Sequence, residues 1–266
     1  AVRIDEGREV ARWSTLVNPG VPIPGFIAAL TGIDNALVRD AQPAGSTFSI
    51  AGNQEHVILF AAGNDGASPN TVGTPGTGKN VITVGASENV QAFGGADQCG
   101  TPDTGADSAN DIIGFSSRGP CDDGRIKPDI VAPGTHITGG VFQASAVATG
   151  NGGAGACFNA TGVCGGPPSS PNFFPAGQQF YTASSGTSHS TPAVAGAAAL
   201  VRQRFINGGL TAPSPAMTKA ALLNSARYLN GVGANDNLFS NNQGMGEVNL
   251  GQFFDTQLGT VGTTHA

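Results

Sequence analysis

Ser188 lies in the run Gly186-Thr187-Ser188-His189-Ser190-Thr191-Pro192-Ala193-Val194-Ala195-Gly196, where a loop gives way to an alanine-rich stretch. A hydroxyl at the start of a helix faces free N–H groups and the positive end of the helix dipole, which favour negative charge on a nearby oxygen. That is the setting acyl transfer asks of a nucleophile. Gly186, Ala195 and Gly196 are small enough to let the helix pack closely beneath it. Taken alone, a serine at such a junction is a helix cap. The second chemical candidate is Asn64, in Gly63-Asn64-Asp65-Gly66 at the end of an apolar run. Read alone, an asparagine in such a turn shapes the turn. A serine also needs a base within hydrogen-bond reach, about 2.6–3.2 Å. Four histidines are available: His56, His136, His189 and His265. His189 is adjacent to the serine, but consecutive residues at a helix start point in different directions. His56 sits on the strand leading to Asn64 and reads as a core or edge residue. His136 follows the Ala132-Pro133-Gly134 turn and His265 lies in the tail, so both read as solvated.

These residues need elements to hold them. His56 to Ala62, Asn80 to Gly85 and Asp129 to Ala132 are short apolar runs bounded by turn residues, the pattern of buried strands. Pro192 to Phe205 and Met217 to Ala226 read as helices, the first with small residues on all sides and therefore central and buried. Short strands alternating with helices imply an α/β fold with a parallel sheet. Residues 141–180 are rich in Gly, Pro, Ala and Asn and read as a long surface insertion, and 259–266 as a frayed tail. The first 46 residues differ in character. They carry the charges Arg3, Asp5, Glu6, Arg8, Glu9, Arg12 and Asp34, with an expected strand over Val10–Val17 and short helices over 25–30 and 35–40.

Composition narrows the function. The net charge of −6 provides no basic face, so no nucleic-acid partner is expected. No stretch of about 18 apolar residues occurs, so no membrane span is expected either. Cys99, Cys121, Cys157 and Cys164 form no C-x-x-C pair, which argues against zinc and leaves no metal assigned. An even count in Gly- and Pro-rich stretches favours two loop-stapling disulfides, Cys157 with Cys164 and Cys99 with Cys121, over four free thiols. That implies an oxidising compartment, secreted or periplasmic, although no export signal is visible in the chain.

The eleven-residue run around Ser188 resembles the serine motif of the subtilisin-like serine protease (subtilase, peptidase S8) family. Three further blocks follow the family's order: Phe60-Ala61-Ala62-Gly63-Asn64, Phe115-Ser116-Ser117-Arg118-Gly119-Pro120 with the 127–134 segment, and Gly244 to Asn249. The resemblance covers residues 47–258. It implies a partial subtilisin-like three-layer fold, Ser188 as nucleophile and Asn64 in the oxyanion hole. Ala62, Gly63, Gly186 and Thr187 would flank a peptide or ester substrate. It implies no required cofactor. Calcium is common in the family, and Asp103, Asp107 and Asp111 share one acidic loop that could bind it or simply be solvated. The family's Asp and His motifs are not recognisable, so the triad reads as incomplete, with a partner chain as one source of the missing groups. A non-catalytic scaffold is the alternative. Residues 1–45 resemble instead a fragment of the DNA polymerase III epsilon-type exonuclease family, without its metal-binding carboxylates. The chain thus reads as a chimeric junction of two partial domains.

Overall fold

The computed structural model describes residues 56–92, 94–97, 99–140, 181–234 and 240–255, together with the backbone of four short strands nearer the start. The chain divides into two compact units, Ala1–His56 and Val57–Ala266. In the first, β1 (Val2–Asp5) pairs antiparallel with β2 (Arg8–Arg12), and β3 (Val17–Asn18) pairs parallel with β4 (Gln42–Pro43). Of the strand expected over Val10–Val17, residues 10–12 belong to β2 and residue 17 to β3, and residues 13–16 lie outside the described residues. The helices expected over 25–30 and 35–40 lie outside the described residues.

The second unit is built on a parallel sheet, in the order β5 (Leu59–Ala61), β6 (Ile82–Ser87), β7 (Ile130–Pro133). The three apolar runs become these strands. Every residue of the central strand β6 is buried, as a strand covered on both faces must be. Alternation sorts the side chains of β7. Ile130 and Ala132 join Ile82 and Val84 in the main core, while Val131 packs on the other face with Ile112, Leu229 and Ala234. An antiparallel pair absent from the sequence reading, β8 (Ile137–Gly140) with β9 (Tyr181–Ser184), follows. Residues 141–180, the expected insertion, lie outside the described residues.

Three helices complete this unit among the described residues: α1 (Thr187–Asn207), α2 (Pro215–Asn224) and α3 (Leu250–Phe254). Helix α1 lays Val194, Ala197, Ala198 and Val201 on the sheet, where they meet Leu222 of α2 and Phe253 of α3. Its outer side is exposed, with Leu200 half accessible, so the helix is buried along one stripe and not all round as its composition suggested. Helix α2 starts where Ser214 Oγ accepts from the Met217 N–H and Pro215 takes the first helical position. Asn249 Oδ1 caps α3 in the same way through the Gln252 N–H.

Candidate functional site

Parallel sheets present their functional groups beyond the carboxyl ends of the strands. Strand β5 ends at Ala61, and the fully buried Ala62 continues its pairing by donating to Val84 O at 2.9 Å. The chain then turns sharply. Gly63 has φ +113°, and a Cβ there would lie 2.8 Å from Ser117 Oγ, so only glycine fits. The turn is braced by the Phe115–Ser117 loop. The Ser117 N–H donates to Gly63 O at 3.0 Å, the Asp65 N–H to Ser117 Oγ at 3.0 Å and the Gly66 N–H to Phe115 O at 2.9 Å. The motif read as a loop from sequence thus acts as the support of the Asn64 turn.

Helix α1 arrives from the other side. Gly186, at φ +153°, occupies its N-cap, and its N–H donates to Gly134 O at 2.7 Å. The Thr187 N–H and hydroxyl both donate to Asn64 Oδ1, at 2.9 and 3.0 Å. These two bonds join residues 123 positions apart and fix the orientation of the carboxamide. With Oδ1 committed, Asn64 Nδ2 is the end left to donate, and it lies on the Gly186 side of the turn, 3.4 Å from where a Cβ on that glycine would stand. The His189 N–H is taken by Gly186 O at 3.0 Å. Among the described residues the Ser188 N–H has no acceptor, and its exposed side chain has no hydrogen-bond partner. Pro192 lacks the N–H that the Ser188 carbonyl would otherwise receive. Beneath the serine, the buried Ser190 donates to Pro133 O at 3.3 Å and ties the helix start to β7.

Sequence reasoning anticipated the serine, the asparagine and the flanking Ala62, Gly63, Gly186 and Thr187. The structure brings these six together. Of the histidines, it places His136 differently. No hydrogen bond joins His189 to Ser188; its ring is half-buried, and burial holds its pKa below the ordinary value, with the Asp97 carboxylate pulling the other way. His56 is exposed ahead of β5, not a core residue. His136, expected in solvent, is completely buried, because the turn after β7 folds inward under the 91–101 loop. His265 lies outside the described residues.

The cysteines also differ from expectation. Cys99 is disulfide-bonded while Cys121 is a buried free thiol, so the Cys99–Cys121 pair does not form. Cys121 is held in its own tight turn, accepting from the Gly124 N–H and donating to Arg125 O, whereas Cys99 sits beside Ser184 at the end of β9, 3.3 Å from its hydroxyl. Cys157 and Cys164, the other expected pair, lie outside the described residues. The acidic loop turns carboxylates onto its own backbone. Asp103 accepts from the Gly94 N–H, Asp111 from the Ile112 and Gly233 N–H groups, and Asp107 lies near Glu88. Among the described residues no three acidic, histidine or cysteine side chains converge as a metal site. Nor is any described helix long and apolar enough to cross a membrane.

Comparison with known proteins gives the family. Residues 29–246 match the profile of Peptidase S8, the subtilase family. The chain is 32% identical over 156 residues to serine protease AprX of Bacillus subtilis, covering 56% of this chain and 26% of that protein. It is 36% identical over 133 residues to the serine protease/ABC transporter B family protein tagD of Dictyostelium discoideum, covering 46% of this chain and 6% of that protein. It is 31% identical over 200 residues to the membrane-bound transcription factor site-1 protease of Mus musculus, covering 73% and 13%. Among solved structures, the prenylagaramide maturation protease PagA aligns with TM-score 0.46 and 25% identity over 75% of this chain and 50% of that one. The chain thus spans a small part of the curated relatives it matches. The exonuclease resemblance of residues 1–45 gains no support, and from residue 29 onward that segment is matched to the subtilase profile instead.

Proposed function

The chain belongs to the subtilase family, and on that premise we propose that it carries the nucleophile and oxyanion-binding side of a serine endopeptidase site, hydrolysing peptides or esters through Ser188. The observation that carries this reading is the pair of Thr187 bonds to Asn64 Oδ1, which leaves Nδ2 and the Ser188 N–H as two unpaired donors, 3.4 and 3.8 Å from where a Cβ on Gly186 would stand. In acyl transfer the serine oxygen attacks the substrate carbonyl carbon, the hydroxyl proton passes to a base, and the carbonyl oxygen becomes anionic. Donors already aimed at that oxygen stabilise it without reorganising, and one such donor contributes roughly 10²–10³ in turnover, a figure that comes from subtilisin itself. The base returns its proton to the leaving amine or alcohol, and water then releases the acyl group. In this reading the base and its orienting carboxylate come from outside the described residues or from a partner chain. The flanking backbone of Ala62, Gly63, Gly186 and Thr187 lines the substrate. The disulfide at Cys99 supports an oxidising, extracytoplasmic setting.

Fluorophosphonate labelling of the folded chain followed by peptide mapping tests the proposal. Label on Ser188 is expected, since the reagent reacts with an activated serine. A folded sample that stays unlabelled, alone and in any heteromer resolved by size-exclusion mass, overturns it and leaves the subtilase motifs as the architecture of a binding scaffold.

A further inference from the structure

The most constrained titratable group in the described residues takes no part in the chemistry above. His136 is completely buried, yet both its ring nitrogens face backbone carbonyls: Nδ1 lies 2.8 Å from Gln91 O and Nε2 2.9 Å from Thr101 O. A carbonyl oxygen only accepts. A neutral imidazole has one N–H, so it would satisfy one carbonyl and set a lone pair against the other, whereas an imidazolium donates to both. An Asp103 carboxylate oxygen 3.8 Å from Nδ1 supplies opposite charge. The backbone is unusual too, since His136 sits at φ +48°, the left-handed region that costs a non-glycine residue energy unless its surroundings hold it there.

Those surroundings lead back to the serine. The His136 N–H donates to Ser185 Oγ at 3.0 Å, and Ser185 Oγ donates to Asp97 Oδ2 at 2.6 Å. Asp97 Oδ1 accepts from the Thr101 N–H at 2.8 Å, and Thr101 O is the oxygen that faces His136 Nε2. The circuit is closed, and it passes through Ser185, three residues before Ser188. Asp97 and Asp103 are the carboxylates that face it. His189 on α1 feels the same Asp97 carboxylate.

We propose that His136 is a positioning residue that, with a proton on each ring nitrogen, clamps the 91–101 loop and Asp97 against Ser185 and so sets the path of the chain into Ser188. Losing one proton turns one carbonyl contact repulsive and loosens the circuit at Thr101 or Gln91.

The proposal does not depend on hydrolysis and can be tested without it. Long-range ¹H–¹⁵N spectra of the whole folded chain report each ring nitrogen directly. In the folded chain His136 is expected to show two protonated nitrogens. A His136→Gln variant, whose side chain can donate to only one of the two carbonyls at that geometry, is expected to exchange the hydrogen-bonded Gly186 and Thr187 amides about tenfold faster while those of α2 keep their rates. A ring nitrogen without its proton overturns the proposal, as do Gly186 and Thr187 amides that exchange no faster in the folded variant. If the variant does not fold, the wild-type spectra decide alone. Ser188 labelling is scored separately, so a failed hydrolase reading leaves this outcome intact.

Discussion

The two ends of the parallel sheet treat hydrogen bonding in opposite ways. At the amino ends of β6 and β7, charge is saturated. Asp129 Oδ2 receives the nearly inaccessible Lys127 Nζ at 2.6 Å and the Thr83 N–H at 2.8 Å, while Oδ1 receives Lys219 Nζ from α2 at 2.8 Å. Lys127 Nζ also donates to Thr83 Oγ1 at 2.8 Å, and Lys219 Nζ to Val81 O at 2.9 Å. At the carboxyl end, beyond β5, two donors are left facing outward at Asn64 and Ser188. A polar group that has spent its bonds inside the fold stabilises the fold and can do little else. A donor held in place but unspent is available to a transition state, and Thr187 holds the Asn64 donor.

Four substitutions probe that contrast. Asp129→Ala carries the largest expected effect. It leaves two lysines without their carboxylate, one of them buried with its ammonium already disfavoured by desolvation, and should cost about 3–5 kcal/mol in denaturant unfolding. At the other end, Asn64→Ala should slow Ser188 labelling by roughly 10²–10³ and cost about 1–3 kcal/mol in unfolding, less than Asp129→Ala, because the buried Thr187 loses the acceptor of its N–H and hydroxyl. Equal stability losses at both ends would erase the contrast. Thr187→Val removes one of the two donors to Asn64 Oδ1 and frees the carboxamide to rotate, so labelling should fall about tenfold with Asn64 still present. A Thr187→Ser variant should restore it.

The smallest effect sharpens the picture at Glu88, just past β6. Burial first, and the Asp111 carboxylate second, hold its pKa above the ordinary carboxylate value. A raised acid favours the protonated form in the fold. Its contribution is therefore fully present below the ordinary carboxylate pKa and is lost as pH rises through the raised one. Glu88→Gln should be more stable than wild type at neutral pH by up to about 1 kcal/mol, and the gain should vanish in acid. A pH-independent difference in unfolding midpoints would show that Glu88 does not carry this titration.

The three strands, both long helices and the identity of Ser188 and Asn64 were legible in the sequence, because apolar runs, a proline-bounded turn and a motif are local properties of the chain. The limits of that reading are physical. The composition of α1 suggested burial on every side, but which sides meet the sheet depends on β5, β6 and β7. His136 looked solvated because the two carbonyls that enclose it come from residues 45 and 35 positions away. The Cys99–Cys121 pair was read by elimination, whereas a disulfide forms only where the fold brings two side chains together, and the fold sets Cys99 beside Ser184 and leaves Cys121 a free thiol. The sequence by itself determined that a serine stands at a loop–helix junction and an asparagine in a turn after an apolar strand. Only the tertiary structure decided which donors remain unspent, because that depends on who else is within 3 Å, and across Asn64 and Thr187 the answer lies 123 residues away.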